Sequence, residues 1–144
     1  MANSISEFDQ YLTFAIANVP LMLAAESVVK VSSASPAICR SLEEAGMVPA
    51  GQHTVRWLDL HKRMPKCEAV SAHQYLIVVN VAQAGLWGIL ADSLPDMNSV
   101  DRQELQELPP HSSDGAMSTL ASHVMFGSSN NAYLLDIRKI LVPS

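Results

Sequence analysis

Histidine is the side chain in this sequence best suited to acid–base or metal chemistry, and the chain contains five. His53 and His61 flank Asp59, while His111 precedes Asp114 in a stretch rich in proline and serine. Side chains two positions apart on a helix point about 200° away from each other, so Asp59 and His61 could not share one ion there. We therefore predict no metal site and no cofactor, and we keep His53, His61 and His111 as candidate catalytic residues.

The local signatures of the common enzyme classes are absent from the sequence. It has no GxGxxG or GxxxxGK[ST] phosphate-binding loop, no GxSxG nucleophile motif and no HExxH zinc motif. This favours a protein without enzymatic activity. The alternative is a small enzyme with a dispersed histidine-containing site that acts on a nucleotide or a group-transfer substrate.

Charge and composition restrict the class of partner. The net charge is −5, and charged residues make up 16% of the chain against about 25% in typical domains. Nucleic-acid binding needs clustered Lys and Arg, so we predict no nucleic-acid partner. The most apolar stretch is interrupted by polar residues, which argues against a membrane span, and the N-terminus lacks the pattern of a secretory signal. We expect a cytoplasmic protein that binds another protein, with a homodimer as an alternative way to cover apolar surface.

Helical spacing dominates the sequence pattern. The apolar residues Ile5, Phe8, Leu12 and Ile16 predict a first helix. The clearest helix runs from an N-cap at Ser35, through Pro36 at the first helical position, to a stop at Gly46. Further helices are predicted over 99–108, 117–127 and 132–141.

The stretch 68–94 decides the predicted architecture. Its length favours one long central helix, although the β-branched run 75–81 would also suit a buried strand. We predict a mainly α fold: one domain over residues 1–144, a bundle of about six to seven helices around a central apolar helix. The alternative is an α+β fold with 75–81 and 132–142 as strands.

One polar stripe on the predicted central helix is the candidate binding site. His73, Asn80, Gln83 and Trp87 follow one another at steps of seven, three and four, and polar groups on an apolar helix must find partners. Together with Trp57 they form the predicted contact surface for another protein, since tryptophan is a common anchor of interfaces. The sequence thus predicts a small protein-binding protein of the inhibitor, immunity-protein, chaperone or phage-antagonist type.

Overall fold

The computed structural model describes residues 8–16, 18–60, 75–108, 120–126 and 131–141, and most of them are in β-strands. The strands are β1 Phe8–Ile16, β2 Val19–Ala24, β3 Val28–Ser33, β4 Met47–Ala50, β5 His53–Trp57, β6 Tyr75–Val81, β7 Gly85–Ala91, β8 Asp96–Asp101, β9 Leu105–Glu107, β10 Ala121–Met125 and β11 Ala132–Leu135. The helices are α1 Pro36–Ala45 and α2 Ile137–Leu141, and two 3₁₀ turns, η1 Ala25–Ser27 and η2 Arg102–Glu104, follow β2 and β8.

The strands form two sheets, and the chain starts in the first, continues in the second and returns to the first. The first sheet has the order β8-β1-β2-β11-β10-β9 and the second has the order β3-β6-β7-β5-β4. The chain leaves the β1–β2 hairpin through η1 to enter the second sheet as β3, and it leaves the β6–β7 hairpin to return to the first sheet as β8. The relative strand directions in β8-β1-β2-β11-β10 repeat those in β3-β6-β7-β5-β4, including one parallel pair in each.

The largest hydrophobic cluster lies between the two sheets. Leu12, Phe14 and Ile16 of β1 meet Ile77 and Val79 of β6 in this cluster. Ile16, Ile77 and Val79 are completely buried. Burying an aliphatic side chain of this size contributes about 1.5–3 kcal/mol, so this shared layer is a main source of stability for both sheets.

The opposite face of the second sheet is covered by α1. Leu42 of α1 is fully buried and packs with Leu76, Val78 and Leu90. The helix has the predicted limits: the Ser35 side chain accepts a hydrogen bond from the Ile38 amide at 3.2 Å, and Gly46 ends the helix with a φ of 74°. These caps depend only on neighbouring residues, so the prediction for this helix is confirmed.

The predicted helical bundle is wrong. Tyr75–Val81 and Gly85–Ala91 are two antiparallel strands joined by a turn in which Gln83 has a φ of 70°. Residues on one face of β6 enter the cluster between the sheets, and those on the other face pack against α1. A strand buried on both faces has a continuous apolar run with no alternation, and by pattern alone such a run is also typical of a buried helix. Tyr75–Val81 is the range for which a strand was the alternative, but the fold as a whole is mainly β rather than α+β.

The other predicted helices are wrong for a related reason. Where the first helix is predicted, residues 8–16 form the strand β1. Leu12 and Ile16 are four residues apart, a spacing that puts two side chains on the same face of a helix and also on the same face of a strand. The range 99–108 contains the end of β8, η2 and β9, and the described part of 117–127 contains β10. The predicted last helix begins as strand β11, and only Ile137–Leu141 is helical.

Candidate protein-docking groove

A groove of about 390 Å³ lies where the two sheets meet. Its walls come from the end of β2 with η1, from the end of β6, and from β11 with the start of α2. The lining residues are Leu23, Ala24, Glu26, Ser27, Val79, Asn80, Val81, Ala82, Ser122, Leu134, Leu135, Asp136, Ile137 and Arg138.

The floor of the groove is apolar and belongs to the main core. Leu23, Val79, Val81, Leu135 and Ile137 line it and are also members of the cluster between the sheets. Because core packing holds these side chains, the floor is preformed, as is usual for binding sites.

Short turns place charged groups at the rim. The Ser27 hydroxyl donates to the Ala24 carbonyl oxygen at 2.8 Å and closes the η1 turn, which carries the exposed Glu26. On the other wall, Asp136 accepts a hydrogen bond from the Lys139 amide at 3.3 Å at the beginning of α2, and Arg138 is exposed. An apolar floor with a charged rim has the usual composition of a protein–protein interface.

Non-local pairing holds this groove together. β11 runs parallel to β2, with Tyr133 opposite Leu21 and Leu134 opposite Met22. The Asp136 amide also donates to the Leu120 carbonyl oxygen at 3.0 Å, which ties the start of α2 to β10. Sequence analysis missed Glu26, Asp136 and Arg138 as candidates, because no local pattern marks residues that meet only through long-range strand pairing.

The structure separates the residues of the predicted polar stripe. Asn80 is exposed at the end of β6 and lines the groove, and Gln83 is exposed in the β6–β7 turn. Trp87 is half-buried on β7 and packs against the cluster between the sheets. His73 lies outside the described residues. The helix that would have aligned these side chains does not exist, so their spacing in the sequence has a different origin.

The two tryptophans lie on opposite faces of the second sheet. Trp87 donates from Nε1 to the Ala84 carbonyl oxygen at 3.0 Å, and the Arg56 guanidinium lies 5.9 Å from the ring centroid. The second tryptophan, Trp57 of β5, packs with the cluster under α1. The sheet separates them, so one flat partner surface could not contact both rings from the same side.

Of the three candidate catalytic histidines, one lies in the part of the chain that is described. His53 is exposed at the start of β5, and His61 and His111 lie outside the described residues. The described residues contain no group of three or more His, Cys, Asp or Glu side chains that could hold a metal ion. Burial raises the pKa of the Cys39 thiol on α1, and the nearby Glu43 adds to this, whereas a nucleophilic cysteine needs a lowered pKa.

No helix within the described ranges has both the length and the apolar character needed to cross a membrane.

Comparison with known structures supports this architecture. The crystal structure of the scaffolding protein TtCheW from Thermoanaerobacter tengcongensis matches with a TM-score of 0.69 and 14% sequence identity, covering 89% of this chain and 88% of that one. At this identity the likeness establishes the fold alone. No curated protein matches the sequence.

A sequence model of the CheW-like domain matches residues 10–143. The match supports the coarser functional prediction, a protein that binds other proteins, and it does not support an inhibitor, immunity protein, chaperone or phage antagonist. The predicted homodimer also receives no support from it. Since the match covers almost the whole of the 144 residues, the chain belongs to the CheW-like domain family.

Proposed function

We propose that this protein is a scaffold that couples a receptor to the kinase CheA in chemotaxis signalling, and that it works in the cytoplasm as one domain over residues 1–144. The observation that carries this proposal is the family match over residues 10–143. The match to a crystal structure described as a scaffolding protein supports it. A coupling protein needs at least two contact surfaces, and each must be fixed relative to the other.

The groove between the sheets is the first of these surfaces in the proposal. Its floor offers apolar side chains that are already held by the core, so binding costs little conformational entropy. Glu26 on one wall and Arg138 on the other give the rim opposite charges, which would orient a partner that carries the complementary pair. Asn80 is the member of the predicted site that lines this groove, and we retain it as a polar contact.

The remaining predicted residues stay candidates for a second surface. Trp87 with the Arg56 guanidinium over its ring offers a half-buried aromatic anchor on β7, next to the exposed Gln83 of the β6–β7 turn. Trp57 faces the α1 side of the sheet and would therefore contact a different partner from Trp87.

Charge reversal at the groove tests the first surface. Arg138→Glu on α2 is compared with Arg40→Glu on α1, because both arginines are exposed on short helices and only Arg138 lines the groove. Binding of the host's receptor signalling fragment and of its CheA is measured separately by calorimetry. We expect Arg138→Glu to weaken one of the two partners by about tenfold or more, and Arg40→Glu to leave both unchanged.

Each result has a defined meaning for the proposal. Loss of one partner by Arg138→Glu with the other retained supports the groove as a partner-specific surface. If wild-type protein binds neither the receptor fragment nor CheA, the coupling role is wrong. If both partners bind and the Arg138→Glu protein binds them like wild type, the role stands and the groove is not the contact surface.

A further inference from the structure

Strand β8 ends the first sheet and has a free edge among the described strands. It pairs with β1 alone, from Phe8 opposite Asp101 to Thr13 opposite Asp96. A strand edge presents a row of backbone N–H and C=O groups that can pair with another chain. The protein therefore has a template for strand addition here, away from the groove between the sheets.

The hydrogen bonds show which backbone groups face this edge. The Asp92 amide donates to the Ala15 carbonyl oxygen at 3.0 Å, and the Ala15 amide donates to the Ser93 hydroxyl at 2.9 Å. Ala15 thus points its backbone groups toward the β8 side of β1. Backbone groups alternate in direction along a strand, so Thr13 also points its N–H and C=O toward β8. The N–H and C=O of Asp96, which lies opposite Thr13, therefore point toward β1, and those of Met97 point to the free edge.

A second contact agrees with this assignment. The Met97 amide donates to the Asp96 side-chain oxygen Oδ1 at 3.1 Å. An amide that pointed toward β1 would instead donate to a carbonyl oxygen of that strand. By the same alternation, Ser99 also directs its N–H and C=O to the free edge. Met97 and Ser99 are exposed, as is Leu94 just before the strand, so the edge has apolar side chains beside its backbone groups. An added strand would take the Met97 amide from the Asp96 side chain and bond directly to the Ser99 amide.

The charge around this edge is strongly acidic. Carboxylates come from β1, β8 and η2: Asp9, Asp96, Asp101 and Glu104. Arg102 is the one basic side chain in the same three elements, and its guanidinium lies 3.3 Å from a carboxylate oxygen of Asp9. A cleft of about 390 Å³ beside the edge is lined by Thr13, Asn98, Ser99, Val100, Asp101, Glu104 and Met125.

We propose that β8 binds an extended, lysine- or arginine-bearing segment of a partner protein, which adds as a strand along Met97 and Ser99. Backbone hydrogen bonds to the edge supply affinity, and the side chains that alternate along the added strand meet the cleft and the exposed Met97. The carboxylates select a basic segment by long-range attraction and by contact with its ammonium or guanidinium groups. This edge goes beyond the proposed coupling role and does not depend on the groove.

The edge of the second sheet at β3 differs from the β8 edge in its charge. Strand β3 also ends a sheet and exposes Val29 and Val31, but its one charged residue is Lys30. A basic segment gains nothing from charge at β3. Strand β4, at the other end of that sheet, has no charged residue, and β9, at the other end of the first sheet, is only three residues long. Among the described sheet edges, β8 is therefore the one whose length and acidic surroundings suit an extended basic segment.

The test uses the full-length protein and a fluorescently labelled peptide in which valine and lysine alternate. Its control is the same peptide with glutamate in place of lysine. Anisotropy gives the dissociation constant, and backbone amide hydrogen exchange shows where the peptide binds. We expect the lysine peptide to bind, the glutamate peptide not to bind, and the Ser99 amide to gain protection.

Two variants locate the binding. Ser99→Pro removes the edge-facing N–H and should weaken binding by about tenfold, and its circular dichroism spectrum reports whether the sheets are intact. Glu104→Lys changes an exposed carboxylate without touching the strand backbone and should weaken binding by about fivefold, whereas Glu44→Lys on α1 should not.

The outcomes separate the proposal from its competitors. Absence of lysine-peptide binding, protection at β3 or in the groove instead of at Ser99, or equal binding by the Glu104→Lys and Glu44→Lys proteins would each overturn it. Loss of receptor or CheA binding in the earlier experiment would leave this result unaffected, because that experiment changes a residue of the groove.

Discussion

Replacing Gly88 with alanine perturbs the closest packing in the second sheet. Gly88 lies on β7, and a Cβ atom there would stand 2.9 Å from Cδ1 of Leu76 and 3.0 Å from Cγ1 of Val55. Both neighbours are buried in the cluster under α1. Neither side chain can swing into solvent, so an added methyl group forces the strands or the rotamers to shift.

Two opposing effects determine the size of the change. Overpacking a core by one methyl group costs about 1–3 kcal/mol, whereas replacing glycine by alanine stabilises by about 0.4–1 kcal/mol through the unfolded chain. The steric effect is larger, so we expect Gly88→Ala to lower the free energy of unfolding by about 1–2 kcal/mol. For a chain of this size the melting temperature should fall by about 3–8 °C.

A double-mutant cycle in urea distinguishes the proposed clash from a general loss of stability. Val55→Ala removes one of the clashing atoms, so the Gly88→Ala change should cost about 1 kcal/mol less in that background. Val124→Ala is the matched control, because Val124 is buried in the first sheet and takes no part in the contact. A Gly88→Ala protein as stable as wild type, or equal coupling to Val55 and Val124, would refute the packing argument.

Three smaller predictions concern caps and titrating groups. Burial raises the pKa of Tyr11 above its ordinary value of 10.0, and the Asp9 carboxylate adds to this. The unfolded state therefore loses the phenol proton first, and the free energy of unfolding falls as pH rises above about 10. Tyr11→Phe should make this fall smaller in urea titrations. Ser35→Ala removes the cap of α1 and should cost about 1 kcal/mol in thermal unfolding, while Ser41→Ala in the middle of the same helix should not destabilise. Because burial first and Glu43 second raise the pKa of Cys39, Glu43→Gln should speed its alkylation at pH 8, followed by peptide mass spectrometry; an unchanged rate would contradict this.

The part of the fold that could be predicted from sequence is the part with local causes. The helix Pro36–Ala45 depends on a serine cap before it and a glycine after it, and both are visible in the sequence. The hairpin of β6 and β7 also has a local signal: two apolar runs of strand length separated by a three-residue turn, after which Gly85 begins β7 with a φ of 87°.

The rest of the fold depends on which strands meet, and the sequence has no local record of that. Leu12 and Ile16 have a spacing that suits a helix and a strand equally, and Ile77 and Val78 are buried on opposite faces of one strand, which removes any period. The repeated strand order of the two sheets likewise has no counterpart as a sequence repeat.

The candidate groove was hidden for the same reason. Asn80 is a candidate because a polar residue stands out in an apolar run, and it lines the groove although it lies on a strand and not on the predicted helix. Glu26 and Arg138 are separated by most of the chain and line one groove through the parallel pairing of β2 with β11. Exposed charged residues of this kind are common, so type and spacing alone could not distinguish them from ordinary surface.

The most direct test of the coupling role is whether one molecule of this protein holds two partners at once. The receptor signalling fragment and CheA are each mixed with the protein and then combined, and the mass of each complex is measured by light scattering after size-exclusion chromatography. We predict a ternary complex whose mass is the sum of all three chains. When the Arg138→Glu protein replaces the wild type, we predict only a binary complex. Binary complexes that compete and never combine would contradict the account.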